Sequence, residues 1–139
     1  QLIYKMILDN KLAVDKSVLL TEKVTFHDPC YLGRANDIYD EPRTILHHIT
    51  SDVVEMPRHR SFALCCGGGG GQMFKEAEKG EKGIYMERTE EALNTQAGII
   101  ATACPFCMNM ITDGIKYKNR EESVKNLDIA ELIAQVLNL

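Results

Sequence analysis

The stretch Gly98-Ile99-Ile100-Ala101-Thr102-Ala103-Cys104-Pro105-Phe106-Cys107 decides the reading of this chain. Its apolar first half, opened by a glycine, predicts a fully buried strand of the kind found in parallel sheets. Proline is a favoured first-turn residue, so Pro105 predicts a helix from there to about Tyr117. A strand that turns into a helix with cysteines at the junction implies an α/β layered domain.

Outward from this unit the same alternation continues. Residues 2–9 read as a helix remnant, followed by a polar lead-in through Thr21. Lys23-Val24-Thr25-Phe26-His27 reads as a strand that Asp28-Pro29 ends, and a helix opens near Pro42 with Ile45, Leu46 and Ile49 facing inward. Val53–Met56 and Ser61-Phe62-Ala63-Leu64 are two further strand candidates. A glycine loop (Gly67–Gly71) leads into a long polar helical stretch from about Gln72 to Thr95, which Gly80 or Gly83 breaks. Val124–Leu127 predicts a last short strand. Asp128 with Glu131 forms a capping box for a closing helix that presents Ile129, Leu132, Ile133, Val136 and Leu137 on one face. The expected fold class is therefore α/β: a small, open, mostly parallel sheet flanked by helices.

At 139 residues the chain makes one domain, with 1–22 as lead-in and 23–139 as core. The apolar pattern already running at residue 2, behind a first residue that is not Met, reads as a fragment of a larger polypeptide. Net charge is −4, which argues against nucleic acid as a partner. No apolar run approaches the roughly 18–20 residues of a membrane span, and the first residues lack a secretory signal. A cytoplasmic, reducing setting is expected, where clustered cysteines read as metal or redox sites.

All five cysteines fall in one pattern: Cys30, the adjacent pair Cys65-Cys66, and Cys104-Pro105-Phe106-Cys107, spaced C-x34-C-C-x37-C-x-x-C. The predicted strands put all three clusters at C-terminal strand ends, the edge where open α/β sheets bind ligands. Thiolates bind metals, and a helix start lowers thiol pKa. The bare N–H groups of Gly67 and Gly68 can approach sulfur closely. Five thiolates exceed the four that close a structural zinc site, so an iron–sulfur cluster fits better, with zinc as the alternative. A thioredoxin-type dithiol at Cys104 and Cys107 would leave the other three cysteines unexplained. The glycine run matches neither a dinucleotide loop, since Gln72 takes the third glycine's place, nor a phosphate loop.

Three segments carry a resemblance to a known family: His27-Asp28-Pro29-Cys30-Tyr31-Leu32-Gly33-Arg34, Cys65-Cys66-Gly67-Gly68-Gly69-Gly70, and Thr102-Ala103-Cys104-Pro105-Phe106-Cys107. Together they resemble the cysteine-rich CCG domain of heterodisulfide reductase catalytic subunits and of the iron–sulfur subunits of glycolate oxidase and lactate-utilisation systems. The likeness covers about residues 20–139. It implies a noncubane [4Fe-4S] cluster held by Cys30, Cys65, Cys66, Cys104 and Cys107. Some family copies hold zinc or lack ligands. One departure is Gln72, where the related pattern often has Arg.

The resemblance further implies the C-terminal repeat of an Fe-S oxidoreductase subunit, with a missing N-terminal region of the same chain as one partner. A flavin-containing dehydrogenase that oxidises a 2-hydroxy acid would be its electron donor. Electrons would leave to a quinone or another membrane-bound acceptor, with the complex cytoplasmic or peripheral at the inner face of the membrane. In a related version the cluster itself cleaves a disulfide.

The remaining features read modestly. His27 is a candidate proton relay or hydrogen-bond donor near the cysteines, weighed against a strand-end histidine capped by Asp28. His47 and His48 read as surface residues. Arg58, His59 and Arg60 read as a solvated turn, with anion recognition as the sharper alternative. Met73, Phe74, Met108 and Met110 read as packing around the site.

Overall fold

The computed structural model describes residues 1–14, 19–76, 80 and 82–139. Six helices and four strands alternate in it: α1 (Leu2–Leu8), β1 (Val24–Phe26), α2 (Gly33–Asn36), α3 (Asp40–Ile49), β2 (Val53–Val54), α4 (Ile84–Leu93), β3 (Ile99–Thr102), α5 (Pro105–Tyr117), β4 (Lys125–Asp128) and α6 (Ile129–Leu137). The strands form one sheet of order β2-β1-β3-β4, every pair parallel. This is the open α/β architecture expected of the sequence, and wholly rather than mostly parallel.

Side-chain alternation sorts the core into two layers, because successive residues of a strand face opposite sides of the sheet. Val24 and Phe26 of β1, with Ile99 and Ala101 of β3, pack against α3 and α6, whose Ile45, Leu46, Ile49, Leu132, Ile133 and Val136 are buried there. Ile100 faces the other way and packs with Ala92, Ile111 and Ile115 of α4 and α5. Helices thus cover both faces, as a parallel sheet requires.

The strand order also creates a switch point. From β1 the chain moves through α3 to β2 on one side, then returns by α4 to β3 on the other side of β1. The crevice beyond the C-terminal ends of β1 and β3 is where such sheets bind ligands.

Two helix starts follow their local signals. The α5 helix runs from Pro105 to Tyr117 with Cys104 as its N-cap. At α6, the Asp128 carboxylate accepts from the Ala130 N–H at 2.8 Å and the Glu131 carboxylate accepts from the Asp128 N–H at 2.8 Å, completing the capping box.

The strand expected at Ser61–Leu64 does not form. Arg60–Phe62 is a 3₁₀ turn, with Ser61 exposed and Phe62 84% exposed. A four-residue apolar run carries too little periodicity to distinguish a strand from a turn. Here the polar contacts of its neighbours prevail. The helix expected from Gln72 is also shorter: Gly69–Phe74 is 3₁₀, and α4 begins only at Ile84. Residues 77–79 and 81 of that expected helix, and 15–18 of the lead-in, lie outside the described residues.

Candidate metal centre

Cys30 follows β1 and Cys104 follows β3, the two strands that flank the switch point. The His27 N–H donates to the Ala101 carbonyl at 2.9 Å, extending the pairing one residue past β1 and drawing the two cysteine loops together. Cys65-Cys66 does not follow a strand as expected. It lies in the long crossover from β2 to β3, held over the sheet edge by side-chain contacts to backbone.

Those contacts come from several elements. Arg34, in α2 just after Cys30, donates to the Ala63 carbonyl at 3.3 Å. The Arg60 N–H donates to Asp28 Oδ2 at 2.7 Å, and the Arg58 N–H to Glu91 Oε1 at 2.7 Å. From α4, Arg88 Nη1 donates to the Arg58 carbonyl at 2.8 Å. Buried backbone groups need partners whether or not they lie in a strand. Here carboxylates and guanidinium groups supply them.

The crossover delivers its cysteines to those of α5. Cys66 and Cys107 are buried, Cys65 and Cys104 are half-buried and Cys30 is exposed. The Cys66 thiol lies beside those of Cys65 and Cys107, close enough that each shifts its ionisation. The Cys66 and Cys107 sulfurs and a ring nitrogen of His27 all lie within 4.8 Å of one another. Three expected ligands therefore meet, while Cys30 and Cys104 stand on the adjoining strand ends.

The glycine loop contributes its backbone. The Gly67 N–H donates to Cys65 Sγ at 3.4 Å, and the Gly68 N–H lies near enough to Cys66 to favour its thiolate. Gly67 has φ +87°, a left-handed conformation that a side chain would strain, and a Cβ there would sit 3.3 Å from the Tyr85 nitrogen. A Cβ on Gly68 would come within 3.0 Å of Met110 Cγ. Bulk is excluded where the backbone meets sulfur.

Electrostatics define the protonation of the free thiols. Hydrogen bonding to Cys107, then burial, pushes the Cys66 thiol up to about 11, against the contrary pull of Cys65 and the Gly68 N–H. The Cys65 thiol is raised further still, by its hydrogen bond to Cys66 and then by burial. Neutral thiols packed on one another release their protons when a soft cation binds, because coordination deprotonates thiol outright. The donor set fits a thiolate-bound metal group.

A cap by Asp28 is not what holds His27. Its Nδ1 accepts from Arg88 Nε at 2.9 Å, and Asp28 turns to Arg43 and the Arg60 N–H instead. Burial, then the positive charge of Arg88, lowers the His27 pKa to about 3, against an opposing pull from Asp28. The ring is neutral at physiological pH.

Arg88 is the residue that sequence reading missed. It is fully buried on α4, and its Nη1 also pairs with Glu91 Oε2 at 2.8 Å. An arginine in a polar helical stretch reads as surface, and no local signal separates it from Arg58 or Arg60. Those two make ion pairs with Glu87, Glu91 and Asp40. His47 is exposed and His48 half-buried; Met110 packs on the glycine loop, whereas Phe74 is exposed instead of packed.

A family profile described as a cysteine-rich domain, CCG, matches residues 24–112, from β1 through all three cysteine clusters into α5. The chain belongs to the CCG family. Among curated relatives of this CCG domain, the probable iron-sulfur-binding oxidoreductase FadF of Bacillus subtilis is 49% identical over 84% of the chain and 16% of the relative. The EtfAB:quinone oxidoreductase of Syntrophomonas wolfei is 40% identical over 96% of the chain and 19% of its own length. One polypeptide of the dihydromethanophenazine:CoB–CoM heterodisulfide reductase of Methanosarcina barkeri is 38% identical over 86% of the chain and 29% of that polypeptide. The CCG domain thus spans less than a third of each of these three relatives. No solved structure matches it. Among the described residues, no helix is long and apolar enough to cross a membrane.

Proposed function

We propose that this domain carries an iron–sulfur cluster on Cys30, Cys65, Cys66, Cys104 and Cys107 and relays electrons within a larger oxidoreductase. The observation that carries this reading is the convergence of Cys65, Cys66 and Cys107 beside the N–H groups of Gly67 and Gly68. When bound, such a cluster supplies an electron carrier whose potential depends on cluster type, hydrogen bonds to sulfur and solvent exposure.

The protein's part is to place and shield the sulfurs. Buried Cys66 and Cys107 form the inner side of the site, and exposed Cys30 its outer side. Gly67 and Gly68 direct N–H groups at sulfur, which favours the more negative, reduced state. The CCG resemblance, in a copy that keeps all five cysteines, leads us to assign the noncubane [4Fe-4S] form. The relatives' names support a setting with a quinone or heterodisulfide partner. We place a flavin-containing dehydrogenase on the donor side and a quinone or other membrane-bound carrier on the acceptor side.

One contact favours a second reading. His27, Cys66 and Cys107 lie close enough to share a single ion, and with one more thiolate they would complete a tetrahedral zinc site. Anaerobic reconstitution with iron and sulfide, followed by metal analysis and electron paramagnetic resonance, separates the two. About four irons per chain, with a signal lost in both Cys30→Ser and Cys66→Ser, is the expected result. One tightly held zinc, retained in Cys30→Ser, would replace the electron-transfer reading with a structural one.

A further inference from the structure

The His27 side chain is fully buried, and its two ring nitrogens have different surroundings. Nδ1 lies 2.9 Å from Arg88 Nε, and a guanidinium can only donate. Nδ1 must therefore be the unprotonated, accepting nitrogen, and the proton of the neutral ring resides on Nε2. That Nε2 is buried and has no hydrogen-bond partner. A buried N–H left unpaired is costly. Yet this one belongs to a ring with a nitrogen within 4.8 Å of both the Cys66 and Cys107 sulfurs.

Two features make the arrangement specific. By the alternation of β1, position 27 falls on the same sheet face as Thr25, the face covered by α4 and α5, which carry Arg88 and Cys107. Arg88 is itself held by Glu91 and the Arg58 carbonyl, so the tautomer of His27 is set by a buried side chain that is in turn fixed. Metal centres commonly depend on such outer partners to orient groups and tune potential.

We propose that His27 is a positioning residue whose Nε2–H donates a hydrogen bond to sulfur of the cysteine-bound cluster, with Arg88 fixing that tautomer. The proposal rests on the cluster reading above. It adds a side-chain donor from the sheet to the backbone donors of the glycine loop. It assigns His27 no bond to metal and no proton-transfer step. The donor favours added negative charge on the cluster and so raises its potential.

The experiment uses the anaerobically reconstituted chain and three readouts: iron per chain, midpoint potential, and electron–nuclear double resonance of the cluster's paramagnetic state with ¹⁵N-histidine label. The wild-type chain should show a weak nitrogen coupling, as expected for a hydrogen-bonding nitrogen that is not a ligand. His27→Leu should keep wild-type iron content and shift to lower potential. His27→Gln, which retains an N–H donor, should recover part of that shift. A strong coupling typical of an iron–nitrogen bond would overturn the proposal, as would an unchanged potential in a fully loaded His27→Leu variant. Should His27→Leu fail to fold, the wild-type coupling alone decides. A wild-type chain that takes up no iron would reject the cluster reading, and this proposal with it, before any variant is compared.

Discussion

Arg43 grips Asp28 through both ends of its guanidinium, Nη1 to Oδ1 and Nη2 to Oδ2 at 2.8 Å each. Its Nε and Nη2 also reach Glu55, at 2.5 and 2.9 Å, so one side chain of α3 joins the Cys30 loop to the segment after β2. Burial works against both charges, but the mutual hydrogen bonds hold the Asp28 carboxyl below its ordinary value and raise the Arg43 pKa. Asp28 then accepts the Arg60 N–H and so anchors the crossover that bears Cys65-Cys66.

Breaking this pair from one side leaves a buried charge uncompensated, which costs about 3–5 kcal/mol. Arg43→Met should therefore lower the urea midpoint of the chain substantially. It should also reduce iron uptake, since Asp28 would lose the partner that holds it under Arg60. A stability loss below about 1 kcal/mol would show that the pair is not structural.

Substitution in the glycine loop should be position-specific. Gly67→Ala places a side chain at φ +87° beside the Tyr85 nitrogen and should cost about 1–3 kcal/mol together with iron incorporation. Gly69→Ala meets no atom within 4 Å and should load normally. Equal iron content in the two variants would remove the loop from the site.

Gly114 allows α5 to approach α4. A Cβ there would lie 2.0 Å from Thr89 Oγ1 and 2.7 Å from Thr89 Cβ, and Thr89 is fully buried. Alanine is favoured over glycine in a helix by about 1 kcal/mol, whereas overpacking costs about 1–3 kcal/mol. Gly114→Ala should thus destabilise, and adding Thr89→Ala should restore part of the loss. Thermal unfolding of the single and double variants checks this; a stabilised single variant would contradict the packing.

Glu91 sets an acid limit on stability. Burial disfavours its charge, but the Arg58 N–H and Arg88 outweigh that and keep its carboxyl below the ordinary 4.5. A depressed folded-state pKa contributes stability that is complete above the unfolded value and lost as pH falls through the folded one. Glu91→Gln should therefore be less stable than wild type at pH 7, by about 1.5–3 kcal/mol for hydrogen bonds to charged groups. The gap should close progressively below the ordinary value. Urea titrations of both chains across that range provide the measurement, and a constant gap would exclude the carboxylate as its source.

Local chemistry made much of the molecule legible in advance. Apolar runs marked β1 and β3, Pro105 marked the start of α5, and Asp128 with Glu131 marked that of α6. Each depends on residues within a few positions of one another, so a short window of sequence contains the whole signal. The five cysteines were legible for a different reason: thiol chemistry is scarce enough that its spacing is informative without a fold.

Only the tertiary structure decided how Cys65-Cys66 reaches the sheet edge and what surrounds it. No strand delivers the pair; it is held by Arg34 to Ala63, by Asp28 to the Arg60 N–H and by Arg88 to the Arg58 carbonyl. The partners in those contacts are 29 to 32 residues apart, and Arg88 lies 61 residues from His27. Charged side chains default to the surface in any local reading, because burying one is unfavourable without a partner. The partners exist only once β1 and β3 are adjacent and α4 lies across them, so the buried arginines and the tautomer of His27 follow from packing and leave no periodic trace in the chain.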